Sequence, residues 1–286
     1  MSVAEPKAAL PLADEERPGV LARIADAVDR LWRVPISAVE TVGAHLQLFG
    51  QVVFWSLRRP FRVRVLLEAM DFVGVGSLLI VALVGTFVGM VFSLQSVSAF
   101  RQFGAEAFVG STVALALTRE LAPVFTSIMV AARAGSGMAT ELGSMRITEQ
   151  IDALSTMAVN PVQYLVVPRV IATTIMMPLM TMLFDFVGMV GAYIVAIYIQ
   201  NVDRGVFLEN TRWFIDDNDV MQGLAKSLVF GAAVSLISCY QGYNASGGAK
   251  GVGVATTRAV VSSFVTILVL DYFLTDVWLA VFKGGG

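Results

Sequence analysis

Residues 72–100 carry no charged side chain at all. As a helix rising about 1.5 Å per residue, that run is longer than the ~30 Å hydrocarbon core of a bilayer requires. Four further runs follow. Residues 107–132 are apolar except for Arg119 and Glu120, and residues 170–202 hold only Asp185. Residues 227–249 are uncharged, and 259–282 hold only Asp271 and Asp276. The chain is 56% hydrophobic and 15% charged. The expectation is an all-α integral membrane protein with five transmembrane helices. They are placed at about 72–100, 107–132, 165–202, 222–246 and 255–282, within one membrane domain over 65–286 and with a kink at Pro178.

Ahead of the spans the composition changes. Residues 1–19 are acidic and contain Pro6, Pro11 and Pro18, with no apolar core of signal-peptide length; a disordered lead-in is expected. In 20–34, Leu21, Ile24, Ala25, Val28, Leu31 and Trp32 recur at helical spacing, and Arg23, Asp26, Asp29, Arg30 and Arg33 take the other face. That is an amphipathic helix suited to a membrane surface. Residues 36–57 continue it with a heavier apolar load. Arg58, Arg59, Arg62 and Arg64 then form a basic elbow that favours an anionic leaflet.

Lys and Arg placement sets the expected orientation. With the elbow inside, the inner segments also hold Arg133, Arg146, Arg169, Lys250 and Arg258. The outer loop 203–219 offers only Arg204 and Arg212. The N-terminus is then cytoplasmic and, after five spans, the C-terminus lies outside.

A short polar segment falls on the cytoplasmic side between the second and third spans. In 144–158, Ile147, Ile151, Leu154 and Ala158 share one helical face, while Thr148, Glu149, Gln150, Asp152 and Ser155 occupy the rest. Asn160-Pro161 closes it. It is too short to span and too polar to sink. Two readings stand: a cap on the neighbouring helices, or a docking helix offered to a soluble partner.

Arg119 and Glu120 are expected near the bilayer centre, where an ionised side chain costs at least about 2.5–3.5 kcal/mol. Adjacent helical positions point about 100° apart, so the two do not simply cancel. At least one needs a partner on another helix, and Arg258 and Asp185 are the candidates. A structural ion pair and a role in substrate passage both fit. Gly85-x-x-x-Gly89 in the first span, with Gly188 and Gly191 in the third, mark close helix approach within or between protomers.

Several chemistries find no support. One cysteine, Cys239, excludes a disulfide within the chain, and the single histidine, His45, builds no His/Cys metal cluster. The net charge of −2 comes with no basic patch interleaved with aromatics, so no nucleic-acid partner is expected. The glycine-rich stretch 247–257 lacks the Gly-Lys-Ser/Thr of a phosphate loop and reads as a cytoplasmic turn. No ATP hydrolysis by this chain is expected, nor a cofactor of its own.

Residues 117–169, "LTRELAPVFTSIMVAARAGSGMATELGSMRITEQIDALSTMAVNPVQYLVVPR", resemble the signature block of the MlaE/YrbE permeases. Residues 226–275 resemble that family's C-terminal half. The resemblance covers about 40–280. It implies a homodimeric ABC-transporter permease in a bacterial inner membrane, driven by a cytoplasmic ATPase that binds ATP and Mg and linked to a periplasmic MCE-domain protein. The implied cargo is phospholipid moving between inner and outer membranes. The segment 144–158 becomes the coupling helix, with Arg146, Ile147, Glu149, Gln150, Ile151, Asp152 and Leu154 seated on the ATPase. The family's intramembrane Arg-Glu falls on Arg119 and Glu120, and its later arginine on Arg258. The lipid cavity wall is expected at Phe92, Gln95, Ala99 and Phe103. A bound phosphate fits Arg119 or Arg258 chemically, although a salt bridge to Glu120 uses the same atoms.

Three rivals are weighed beside this. A secondary transporter also uses midplane charges and broken helices, but the halves show no repeat. An intramembrane enzyme needs a nucleophile within reach of a base, and Cys239 and His45 fall at different depths. A structural assembly factor would move no lipid.

Overall fold

The computed structural model describes residue 40, residues 42–58 and residues 62–282. The expected lead-in and the amphipathic helix over 20–34 lie outside the described residues, as do Arg59 and the rest of 59–61. The chain divides into two units, residues 1–46 and 47–286. In the first, residues 42–46 are helical; the second opens with helical residues 47–56.

Among the described residues of the second unit, five helices are long and apolar enough to cross a membrane. They are α1 (Val63–Arg101), α2 (Glu106–Ile147), α4 (Val162–Ile199), α6 (Asp217–Tyr243) and α7 (Gly248–Phe282). Two short helices join them: α3 (Gln150–Thr156) and α5 (Arg204–Phe214). Among the described residues there is no strand. The chain is an all-α, multi-pass integral membrane protein.

The spans fall where the apolar runs lie, but their ends differ. The second was expected to stop at residue 132, and α2 runs on to Ile147, some 20 Å further. Hydropathy marks where a helix leaves lipid, not where it ends. The stretch 247–257, expected as a turn, is instead mostly the first turns of α7. Gly247 (φ +89°) and Gly248 (φ +66°) make the bend, and Val252, Ala255 and Ala259 are buried at helical spacing directly after it.

The expected single helix over 144–158 is broken. Arg146 and Ile147 end α2, and Glu149 adopts a left-handed φ of +59° before α3 begins. Ala158 takes φ +57° beyond it. The Asn160 carboxamide oxygen then accepts the backbone N–H groups of Val162 and Gln163 at 3.0 and 3.2 Å and starts α4. A continuous helix would carry Ile151 away from the bundle; the kink lets it bury to 1% exposure beside Leu142 and Val166.

Packing follows small residues. α1 and α4 meet where Gly89 faces the backbone carbonyl of Gly188 and Gly191 faces that of Thr86. A Cβ on Gly89 would occupy the position of the Gly188 carbonyl. The Gly-x-x-x-Gly spacing thus joins two helices of one protomer. Two apolar cores result. One gathers Val97, Val113, Leu117, Phe184 and Phe207, the other Val130, Met138, Leu142, Val166 and Phe230.

Candidate functional site: a buried ion network on α2, α6 and α7

The site begins with a proline. Pro123 has no N–H, so the carbonyl of Arg119, four residues earlier, loses its α-helical donor. There α2 widens into a π-helical turn, Leu117–Leu121, carrying Arg119 and Glu120. Facing it, α6 sets Asp219, Gln222, Gly223 and Lys226 on one buried stripe. Gly223 lets α6 approach the Thr118 carbonyl closely, and Lys226, three residues on, reaches across.

Lys226 is the hub. Its side chain is 2% exposed. The ammonium donates to Glu120 Oε2 at 2.6 Å, to Asp271 Oδ1 at 2.9 Å and to the orphaned Arg119 carbonyl at 3.1 Å. An ammonium has three N–H donors, and all three are used. From α7, the Thr275 hydroxyl donates to the Asp271 backbone carbonyl at 2.8 Å, with Glu120 Oε1 3.4 Å from its oxygen. The Arg119 guanidinium turns the other way. Its Nε and Nη2 donate to Asp219 Oδ1 at 2.8 and 2.5 Å. The other Asp219 oxygen accepts the backbone N–H of Asp216 at 3.2 Å, which fixes the carboxylate at the start of α6.

Fully ionised, Arg119 and Lys226 oppose Glu120, Asp219 and Asp271: two cations against three carboxylates, an excess of one negative charge. Arg119 is committed to Asp219, and Lys226 has no donor left. The arrangement ties three helices together, with each of its cations already paired to a carboxylate.

Arg119 and Glu120 therefore find partners on another helix, but not the expected ones. Arg258 lies about 20 Å along α7 from Asp271. It is exposed and pairs with no carboxylate among the described residues; it lines a cleft of about 350 Å³ with Gln241, Asn244 and Lys250. Asp185 also stays outside the network, its Oδ1 buried without a hydrogen-bond partner among the described residues.

Of the expected cavity wall, Phe92 packs against the core, while Gln95, Ala99 and Phe103 are exposed. These four are not brought to the ion network. In the segment assigned to docking, Arg146 Nη1 donates to Asp152 Oδ1 at 2.6 Å across the break. Ile151 and Leu154 face the bundle, and Glu149, Gln150 and Asp152 are exposed. Among the described residues, no group of three His, Cys, Asp or Glu side chains is placed to hold a metal ion.

Sequence reasoning missed Lys226 because the uncharged run begins one residue later, and counted Asp219 with the outer loop. Two signals point to them: a midplane carboxylate needs a cation, and a proline at Arg119+4 needs a donor for the stranded carbonyl.

The profile of the family described as "Permease MlaE" matches residues 66–277. A "Probable ABC transporter permease protein" of Rickettsia felis is 40% identical over 92% of this chain and 100% of its own length. The "Intermembrane phospholipid transport system permease protein MlaE" of Haemophilus influenzae is 36% identical over 89% of this chain and 98% of its own. The chloroplastic "Protein TRIGALACTOSYLDIACYLGLYCEROL 1" of Arabidopsis thaliana is 39% identical, covering 83% of this chain and 67% of that protein.

Proposed function

This chain belongs to the MlaE permease family and is an ABC transporter permease; from that premise we propose that it carries phospholipid between two membranes. In this reading two copies form the conduit in a bacterial inner membrane. A separate cytoplasmic ATPase drives them from the segment 144–158, and an MCE-domain protein passes the lipid on at the outer face. The Haemophilus influenzae relative supplies the cargo class by its name.

The observation that carries the reading is the Lys226 network. A permease driven from one side must convert movement at its cytoplasmic end into a change of helix packing within the membrane. Ion pairs joining α2, α6 and α7 give that packing discrete arrangements, because a half-broken network leaves a charge unpaired in a low dielectric. The helix that carries Arg119 and Glu120 also runs on, through a second π-helical turn at Ala131–Gly135, to Ile147 at the edge of the exposed polar segment. Displacement there acts on the network through one continuous element. Glu120 and its partners set the packing and do not hold the cargo.

Mild extraction of the complex from its native membrane, followed by mass spectrometry of proteins and retained lipids together, tests this. An ABC ATPase and an MCE protein co-purifying with phospholipid is the expected result. A chain that retains no ATPase under mild conditions would overturn it and favour a gradient-driven carrier built on the same buried charges.

A further inference from the structure

A second constellation of charge lies at the start of α1, where the chain passes into the membrane. Arg58 and Arg62 flank a cavity of about 40 Å³, room for about three waters or one phosphate group. Neither pairs with a carboxylate among the described residues. Both guanidiniums lie instead on aromatic faces. Arg58 is 4.1 Å from the Phe54 ring centroid and 5.7 Å from that of Trp55, and Arg62 is 4.3 Å from Tyr164. Gln163 Nε2 donates to the Arg58 carbonyl at 3.3 Å and fastens this turn to the start of α4.

The same cavity is walled on its other side by Leu66 and Ile171. From Ile171 an apolar stripe continues along α4 through Ile175 and Leu179, 46% and 48% exposed, one turn apart each. The feature thus has two unpaired cations at its head and an exposed apolar track leading into the membrane. Stacking on the rings holds each guanidinium in place while leaving its N–H fork open. A phosphodiester with acyl chains matches both ends; a soluble anion uses only one.

We propose that Arg58 and Arg62 hold the phosphate of an anionic phospholipid of the surrounding leaflet, its acyl chain lying along Ile171, Ile175 and Leu179. The site is separate from the ion network. It rests on the membrane-spanning fold, not on the transport reading, so a transporter of any cargo would keep it.

The test uses the full-length chain in phosphatidylcholine nanodiscs, with phosphatidylglycerol titrated in and bound anionic lipid counted by native mass spectrometry. A basic residue facing an anionic leaflet is worth about fivefold in affinity. The pair Arg58→Gln with Arg62→Gln is therefore expected to weaken binding about thirtyfold, and the pair Arg58→Lys with Arg62→Lys, which keeps the charge without the stacked fork, to weaken it by less than that. Arg64→Gln serves as control. Arg64 already pairs with Glu68 at 3.1 Å and lies off the cavity, so its loss is expected to change little. In the unaltered chain, phosphatidylglycerol brominated on its acyl chains should quench tryptophan fluorescence more than brominated phosphatidylcholine.

Unchanged binding in the glutamine pair, an equal loss in Arg64→Gln, or equal quenching by the two brominated lipids would each overturn the proposal. So would displacement of the lipid by millimolar inorganic phosphate, which would mark a free-anion site. Loss of a co-purifying protein with lipid binding intact would overturn it too, by assigning this face to a protein partner.

Discussion

Lys226 donates a hydrogen bond to the backbone carbonyl of Arg119 at 3.1 Å, and Pro123 is the reason that carbonyl is available. The missing N–H opens α2, and a cation from α6 fills the gap while pairing with Glu120 and Asp271. Backbone chemistry and ion pairing are thus coupled at one point.

Replacing Lys226 with Met should strand two carboxylates and one carbonyl. Breaking a buried pair costs about 3–5 kcal/mol; because the Glu120 side chain is 40% exposed, a loss of about 2–3 kcal/mol is expected. SDS-driven unfolding in mixed micelles measures it. Adding Glu120→Gln and Asp271→Asn to that variant should recover most of the stability, since a network removed whole leaves no unpaired charge.

Pro123→Ala returns the missing N–H donor. In a double-mutant cycle with Lys226→Met, the alanine background should reduce the cost of losing the lysine by about 1 kcal/mol, the value of one satisfied carbonyl. Additive effects would mean the carbonyl contact contributes nothing.

Glu120→Lys places two cations where a pair stood. Reconstituted with the ATPase that the proposed function calls for, the complex carrying this variant should hydrolyse ATP while phospholipid transfer between vesicles falls to background. Transfer at the unaltered rate would remove the network from the mechanism.

Gly89→Val pushes a side chain into the Gly188 backbone and should destabilise by about 3 kcal/mol. Gly253, within α7, meets nothing within 4 Å of an added Cβ, so Gly253→Ala should stabilise by about 0.5–1 kcal/mol. The same unfolding assay reads both.

Asp152→Lys reverses the exposed charge that pairs with Arg146. Under the proposed function it should abolish co-purification of an ABC ATPase while leaving the unfolding midpoint of the chain unchanged. Normal recovery of the ATPase would dismiss the docking role of this segment.

The spans were legible because an apolar run of this length has few alternatives. The small-residue seam was legible as a pattern too; only the structure shows that Gly89 meets Gly188 inside one protomer. Arg119 and Glu120 stood out because charges in apolar runs are rare. Their partners did not, since pairing depends on depth along helices whose starts hydropathy does not set. Arg258 carries the right charge at the wrong height. The break at Glu149 left no mark because a glutamate in left-handed backbone is held there by the packing of Ile151, a tertiary cause.

The π-helical turn at Leu117–Leu121 has a consequence for the whole of α2. On the buried side of this helix Val109, Val113 and Leu117 succeed one another at four residues, then the step to Ala122 is five. That surplus residue sets the angular phase between the two ends of the helix. Deleting any one position from 117 to 121 would remove this turn, leaving the second π-helical turn of α2 at Ala131–Gly135, and would swing everything beyond it by about 100°. Met138 and Leu142 would leave their core, and the Ile147 end of the helix would face the wrong way. The aim of the helix tip is therefore written well before it, in the slack of these two turns.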